Sequence, residues 1–205
     1  MKAPAPTTFL FLHYAHLGKL RRLVFGNKSL GEVASAREVL SPAKKFFHPQ
    51  PVYEKADLSR ISGIGFGTTR AFEMEQTQPI RRVHQATVAY TVKDLLHIDG
   101  IFYANRFKHS VTLSQGRALA WGRATEIPGG ILGESWIGAK FFGHWLLDDI
   151  PLARLAGKRG LPLGSSRPLE PQQQQYLDFF DAPLIPLPNT ALVRSLEILQ
   201  DSSPQ

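Results

Sequence analysis

Beyond residue 127 the chain alternates helical stretches with short apolar strings, an order that few folds accommodate. An apolar helix is expected over residues 139–156, stopped by Gly157-Lys158-Arg159-Gly160 and followed by the string LPL at 161–163. A second helix is expected over 170–180, where Pro171 suits a first turn, and extended strings follow at 184–187 and 192–199. Right-handed crossovers would lay these strings side by side in a parallel sheet, so the expected class is α/β.

The first half of the chain reads differently. Residues 9–24 carry Phe9, Leu10, Leu12, Leu17, Leu20, Leu23 and Val24 at spacings that fit a helix ending near Gly26, and residues 29–40 suggest a short helix closed by Ser41-Pro42. FFHPQP at 46–51 reads as an extended loop. Glycines and threonines then separate short β-branched runs at 88–92, 98–103 and 111–113, which predict strands. Asp99-Gly100 lies between LLHI and IFY and predicts a two-residue hairpin. A turn-rich passage, IPGGILG at 127–133, marks a soft boundary. The expected organisation is a helical, variable segment 1–45, a β-rich segment 46–126 and a Rossmann-like α/β lobe 127–205.

Composition removes several chemistries. The 205 residues contain no cysteine, which excludes disulfides, thiolate metal sites and cysteine nucleophiles. No GxSxG elbow supports serine hydrolysis, and no Asp-x-Asp metal-diphosphate motif is present. The formal charge of +7 suits an anionic partner. Its basic residues come in scattered pairs without a nucleic-acid-binding motif, so no nucleic acid is expected. No apolar run reaches the roughly 20 residues of a membrane span, and the best candidate, 9–17, is interrupted by His13 and His16. The expected location is cytoplasmic, with a peripheral contact of a cationic surface helix on the inner, anionic face of a membrane as a further expectation.

The richest segment is GHWLLDDIPLARL at 143–155. On a helix His144 and Asp148 are four apart and share a face, so the carboxylate can accept an imidazole N–H and leave the other nitrogen as a base. Asp149 points about 100° away, so the two aspartates do not form a facing acid/base dyad. Pro151 has no N–H for the Leu147 carbonyl, and the helix is expected to loosen there. The alternative is an ordinary helix with both aspartates solvated on its outer side. Elsewhere, GIGFGTT at 63–69 departs from GxGxxG and reads as a turn rather than a phosphate cradle. His13 and His16 are expected to form a surface pair on one helix rather than a metal site. His84, His97 and His109 show no ligand spacing.

The His-Trp-Leu, acidic, Pro and Arg-Leu succession at 143–155 resembles the signature of glycosyltransferases of family 61, the group that includes enzymes of capsular polysaccharide biosynthesis. HQATVAYTVKDLLHIDGIFYANRF at 84–107 and QQQQYLDFFDAPLIPL at 172–187 resemble the segments on either side of it. The resemblance implies a GT-B-like architecture, here apparently lacking the C-terminal donor-binding lobe, and sugar transfer from a nucleotide-sugar donor to a polysaccharide or glycan acceptor. It implies His144, Asp148 and Asp149 as catalytic residues and Trp145, Arg154 and Trp136 as substrate-binding ones. No cofactor or metal is expected beyond the nucleotide-sugar co-substrate, and a second chain or adjoining C-terminal half is an expected partner. The alternative is a non-catalytic remnant, or a glycan-binding or interaction module.

Overall fold

The computed structural model describes residues 8–64, 68–113 and 116–201. The chain divides into two compact units, Met1–Glu38 with Val88–Gln200, and Val39–Thr87 with Asp201–Gln205. The division therefore does not follow the boundaries expected after residues 45 and 126. The segment 88–126 supplies strands to the same sheet as the segment beyond 127, and burial of shared strands overrides the change in local composition.

The larger unit begins with β1 (Thr8–Tyr14) and α1 (Ala15–Phe25). This corrects the single helix expected over 9–24. FLFLHY alternates, with Phe9, Phe11 and His13 turned inward and Leu10, Leu12 and Tyr14 outward, and pairing with a neighbouring strand decides for period 2. The helix expected over 29–40 shrinks to one turn, α2 (Leu30–Val33), started by a Ser29/Glu32 capping box. The chain then becomes β2 (Ala36–Ser41).

The predicted hairpin is present. β5 (Thr87–Ile98) turns into β6 (Ile101–Ala104) with Ile98 opposite Ile101, and Asp99 and Gly100 both have positive φ, 48° and 82°. Asp99 tolerates that backbone as a non-glycine residue can only at some cost. β7 (Phe107–Ser110) completes a meander, and residues 111–113 form a bend instead of the expected strand, with Val111 N bonded to the Gly100 carbonyl (3.0 Å).

β8 (Leu119–Ile127) runs antiparallel to β1. β9 (Gly130–Leu132), β10 (Pro162–Gly164) and β11 (Ile185–Pro186) are mutually parallel, and β12 (Thr190–Asp201) lies parallel to β8 through Ala191–Val193 and to β9 through Leu196 and Glu197. The order β11-β10-β9-β12-β5-β6-β7 makes one large mixed sheet of ten strands, counting those off this path. Helices lie between its parallel strands: α4 (Trp136–Lys140), α5 (Phe142–His144) and α6 (Ile150–Arg159) between β9 and β10, and α7 (Pro171–Phe179) between β10 and β11. Leu132, Leu163, Val193 and Leu196 of the parallel strands pack with Val92, Leu95 and Phe102 of the meander in one core. Each such side chain contributes roughly 1.5–3 kcal/mol by leaving water. The mixed α/β class agrees with expectation.

The smaller unit holds β3 (Lys44–His48) paired antiparallel with β4 (Ile80–His84), a 3-10 turn at Lys55–Arg60, and α3 (Arg70–Glu75). FFH at 46–48 is thus strand rather than loop, because Phe46 and Phe47 find partners in Arg82 and Arg81 across the ladder. Of the glycine-rich segment 63–69, residues 65–67 lie outside the described residues, and Thr69 caps α3 through Phe72 N (3.2 Å).

Candidate functional site

The helix expected over 139–156 is broken at Phe141, whose φ of −130° and ψ of 124° are extended. The helix then resumes as α5, passes through a π turn at Trp145–Asp149 and continues as α6. In the π turn Ile150 N reaches the Trp145 carbonyl, five residues back. Pro151 sits in the first turn of α6 without an N–H for Leu147. The loosening expected at the proline therefore takes the form of a wide turn just before it.

That turn separates four of the motif's polar and aromatic residues, His144, Trp145, Asp148 and Asp149. His144 and Asp148 come together on the outside: Nδ1 lies 2.8 Å from Asp148 Oδ2, and both side chains are about half exposed. A carboxylate only accepts, so Nδ1 carries the proton of this contact, and in the uncharged form of the ring Nε2 has a lone pair to offer a ligand. Trp145 goes the other way. It is 1% exposed and packs with Ile150, Ala153, Leu177 and Ala182, which leaves no ring face open to a sugar.

Asp149 is also buried, against the expectation of a solvated or substrate-facing carboxylate. Its Oδ1 accepts from Ser135 Oγ (2.6 Å) and Ser135 N (3.1 Å), while Oδ2 has no hydrogen-bond partner. Ser135 caps α4 at the same time, accepting from Gly138 N (3.0 Å). A Cβ at Gly138 would fall 2.1 Å from Asp149 Oδ2, so glycine there leaves the room the carboxylate occupies. Burial first, then the neighbouring carboxylates of Glu134 and Asp148, push Asp149 up to about 7 against the two Ser135 hydrogen bonds.

Glu134 and Ser165 were not singled out from sequence. Glu134 follows β9 and is 4% exposed, and its Oε2 accepts from Ser165 N (2.6 Å) just past β10. These residues cluster with Asp149 and Ser135 at the carboxyl ends of the parallel strands. The signals that could have found them are the serine one residue before a helix and the position after a parallel strand, where the chain crosses over.

Arg154 is exposed and lines a groove of about 530 Å³ with Leu147, Pro151, Lys158, Tyr176 and Phe180. Phe142 stacks on Trp145 (5.7 Å between centroids) and meets Tyr176 (6.0 Å), so the groove wall is tied to the motif turn. Trp136 lies elsewhere. It is 43% exposed, lies under Lys140 Nζ (5.2 Å) and borders a cleft of about 600 Å³ with His16, Lys19 and Lys108. The structure thus gathers His144 with Asp148, puts Arg154 on a groove walled by Leu147, Pro151, Tyr176 and Phe180, and withdraws Asp149 and Trp145 into the interior. Trp136 belongs to a different cleft.

The two N-terminal histidines do not form the expected helical pair. His13, on β1, turns inward against Tyr103 (4.1 Å), and His16 is exposed on α1. Searches against protein-family models, curated proteins and solved structures find no significant match to this chain. What the geometry defines is a mixed α/β protein carrying a half-exposed His-Asp pair and an apolar, cation-rimmed groove. Among the described residues no helix is long and apolar enough to cross a membrane.

Proposed function

We propose that the chain is a glycosyltransferase of the family 61 type, or the acceptor-side part of one, with a GT-B-like arrangement of its parallel strands. The observation that carries this reading is the His144-Asp148 contact of 2.8 Å, with both side chains about half exposed. Such a pair can take a proton from an acceptor hydroxyl as it attacks an anomeric carbon, a role worth about 10²–10⁴-fold in rate. Arg154 and Lys158 can hold an anionic group on the acceptor, and Tyr176 and Phe180 give the groove the aromatic surface that sugar rings favour. The parallel order β11-β10-β9, with helices in the β9–β10 and β10–β11 connections, supports the Rossmann-type part of the proposal. Asp149 serves here as a buried anchor of the motif turn. The donor is a nucleotide sugar supplied with its own leaving group, bound by a second chain or an adjoining C-terminal half.

The test is transfer from a panel of nucleotide sugars to glycan acceptors, with His144→Ala and Asp148→Asn beside the natural chain. Loss of about 10²-fold or more in kcat for His144→Ala, with KM little changed, is the expected result. An undiminished rate would remove His144 from the role. A second reading, a glycan-binding or interaction module without turnover, is favoured by the half exposure of the same pair, which leaves it open to water. Glycan binding in the Arg154 groove with no transfer from any donor would select it.

A further inference from the structure

Helix α1 is set on the protein with its apolar side outward. None of its residues is buried. The residues turned toward the protein are Ala15, Gly18 and Arg22, which are half-buried at i, i+3 and i+7. Ala15 N bonds the Ala118 carbonyl (2.9 Å), and Arg22 Nη1 lies 3.3 Å from the point where a Gly18 Cβ would be. On the other side Leu17, Leu20, Leu23 and Val24 are 54–82% exposed. An amphipathic helix that merely completed a core would be turned the other way.

The apolar surface continues onto the sheet. Leu12 and Trp121 face each other across the β1–β8 ladder and are 59% and 76% exposed. A cleft of about 810 Å³ joins helix to strand, with Leu12, Tyr14 and Leu17 on its walls together with Arg21, Arg22 and Arg106.

Charge identifies what covers this face. From residue 1 to residue 31 the sequence has five basic residues, Lys2, Lys19, Arg21, Arg22 and Lys28, and no acidic one. Among the described residues no acidic side chain lines the clefts of about 810, 600 and 560 Å³ that α1 borders. Among the described residues, Lys19, Arg21 and Arg22 take part in no ion pair. A second copy docked symmetrically would press one cationic patch against another. A protein partner is disfavoured as well, since lysine is depleted from the buried centre of protein interfaces.

We propose that α1 and the outer face of β1 form a docking surface for an anionic lipid bilayer. Leu17, Leu20, Leu23 and Val24 enter the acyl boundary, Trp121 lies at the headgroup level, and the exposed Lys19 and Arg21 neutralise lipid phosphates. This inference is independent of the proposed transfer chemistry.

Co-sedimentation of the full chain with vesicles of phosphatidylcholine alone, and with an equimolar mixture of phosphatidylcholine and phosphatidylglycerol, tests it. Binding should favour the anionic vesicles and fade with added salt. Leu23→Glu and the pair Lys19→Glu with Arg21→Glu should each weaken it at least about tenfold, and Lys93→Glu, on exposed β5 surface, should not. All of these positions are exposed, so unchanged thermal melts will show that the variants fold. Equal partitioning onto both vesicle types, no partitioning, or binding indifferent to the α1 variants would overturn the proposal. So would a dimer in light scattering that Leu23→Glu dissociates while vesicle binding is absent.

Discussion

Two ends of the sheet bury a titratable side chain, and they treat it in opposite ways. At the β5–β6 hairpin, His97 is fully buried and both ring nitrogens are used: Nδ1 donates to the Pro188 carbonyl (3.0 Å), and Gly100 N donates to Nε2 (2.9 Å). Burial holds this imidazole neutral and lowers it to about 4. At the carboxyl ends of the parallel strands, Asp149 is equally buried, yet one of its oxygens lacks a partner and its proton is retained up to about 7. The satisfied group locks a turn. The half-satisfied one sits at the π turn of the candidate site, where unpaired buried polar atoms tend to mark function.

The contrast has a sign in pH. Asp149 rises from its usual 3.8 to about 7, so the folded chain keeps a proton that the unfolded chain has lost, and stability falls as pH climbs between those values. His97 drops from 6.5 to about 4, so its contribution is complete above 6.5 and is lost as pH falls toward 4. Over most of the acid range the two slopes oppose each other, and the natural chain should look flatter than either group alone would make it.

The largest expected effect comes from removing one of them. Asp149→Asn keeps an acceptor for Ser135 and abolishes the titration. The stability of this variant relative to the natural chain should grow by about 4 kcal/mol between about pH 4 and about pH 8. Urea unfolding at several pH values measures it, and parallel curves for the two proteins would dissolve the contrast.

His97→Gln should unmask the opposite slope. At neutral pH it leaves at least one of Gly100 N and Pro188 O without its partner, and the variant should be less stable by about 3 kcal/mol. Because the natural chain loses the same contribution as His97 takes up a proton, that deficit should shrink as pH approaches about 4. A deficit that stays constant with pH would mean that the imidazole is not held neutral.

How far these features could be read beforehand depends on whether the deciding contact was local. The Asp99-Gly100 turn was legible because its chemistry is contained in two residues, and the parallel strings 161–163 and 184–187 because a helix with a clear stop precedes each of them. His144 with Asp148 was legible because four residues on a helix share a face whatever surrounds it. Asp149 was not: its neighbours are Ser135 and Gly138, on a different helix, and nothing in LLDDIP says which aspartate goes inside. Residues 9–14 went astray for a related reason. Leucine and phenylalanine at all of residues 9–12 fit either period, and the β8 ladder that settles it comes from more than a hundred residues later. His97 gave no signal at all, since its partners are Pro188 and a backbone N–H.

The smallest expected effect tests whether the hairpin end really is locked from within. The same Asp99-Gly100 turn is also gripped from outside, where Arg117 Nε and Nη2 reach Asp99 Oδ2 and Oδ1 at 2.7 and 3.2 Å. Arg117 is half exposed, so water and salt compete for both charges, and Arg117→Ala should cost only about 0.5 kcal/mol at low ionic strength and almost nothing at high salt. The positive φ of Asp99 does not need the ion pair, because Asp99 N is held separately by the Asn189 carbonyl (2.8 Å). If Arg117→Ala instead cost as much as His97→Gln, the turn would be held by its surface pair. The buried imidazole would then be a consequence of the hairpin rather than its lock.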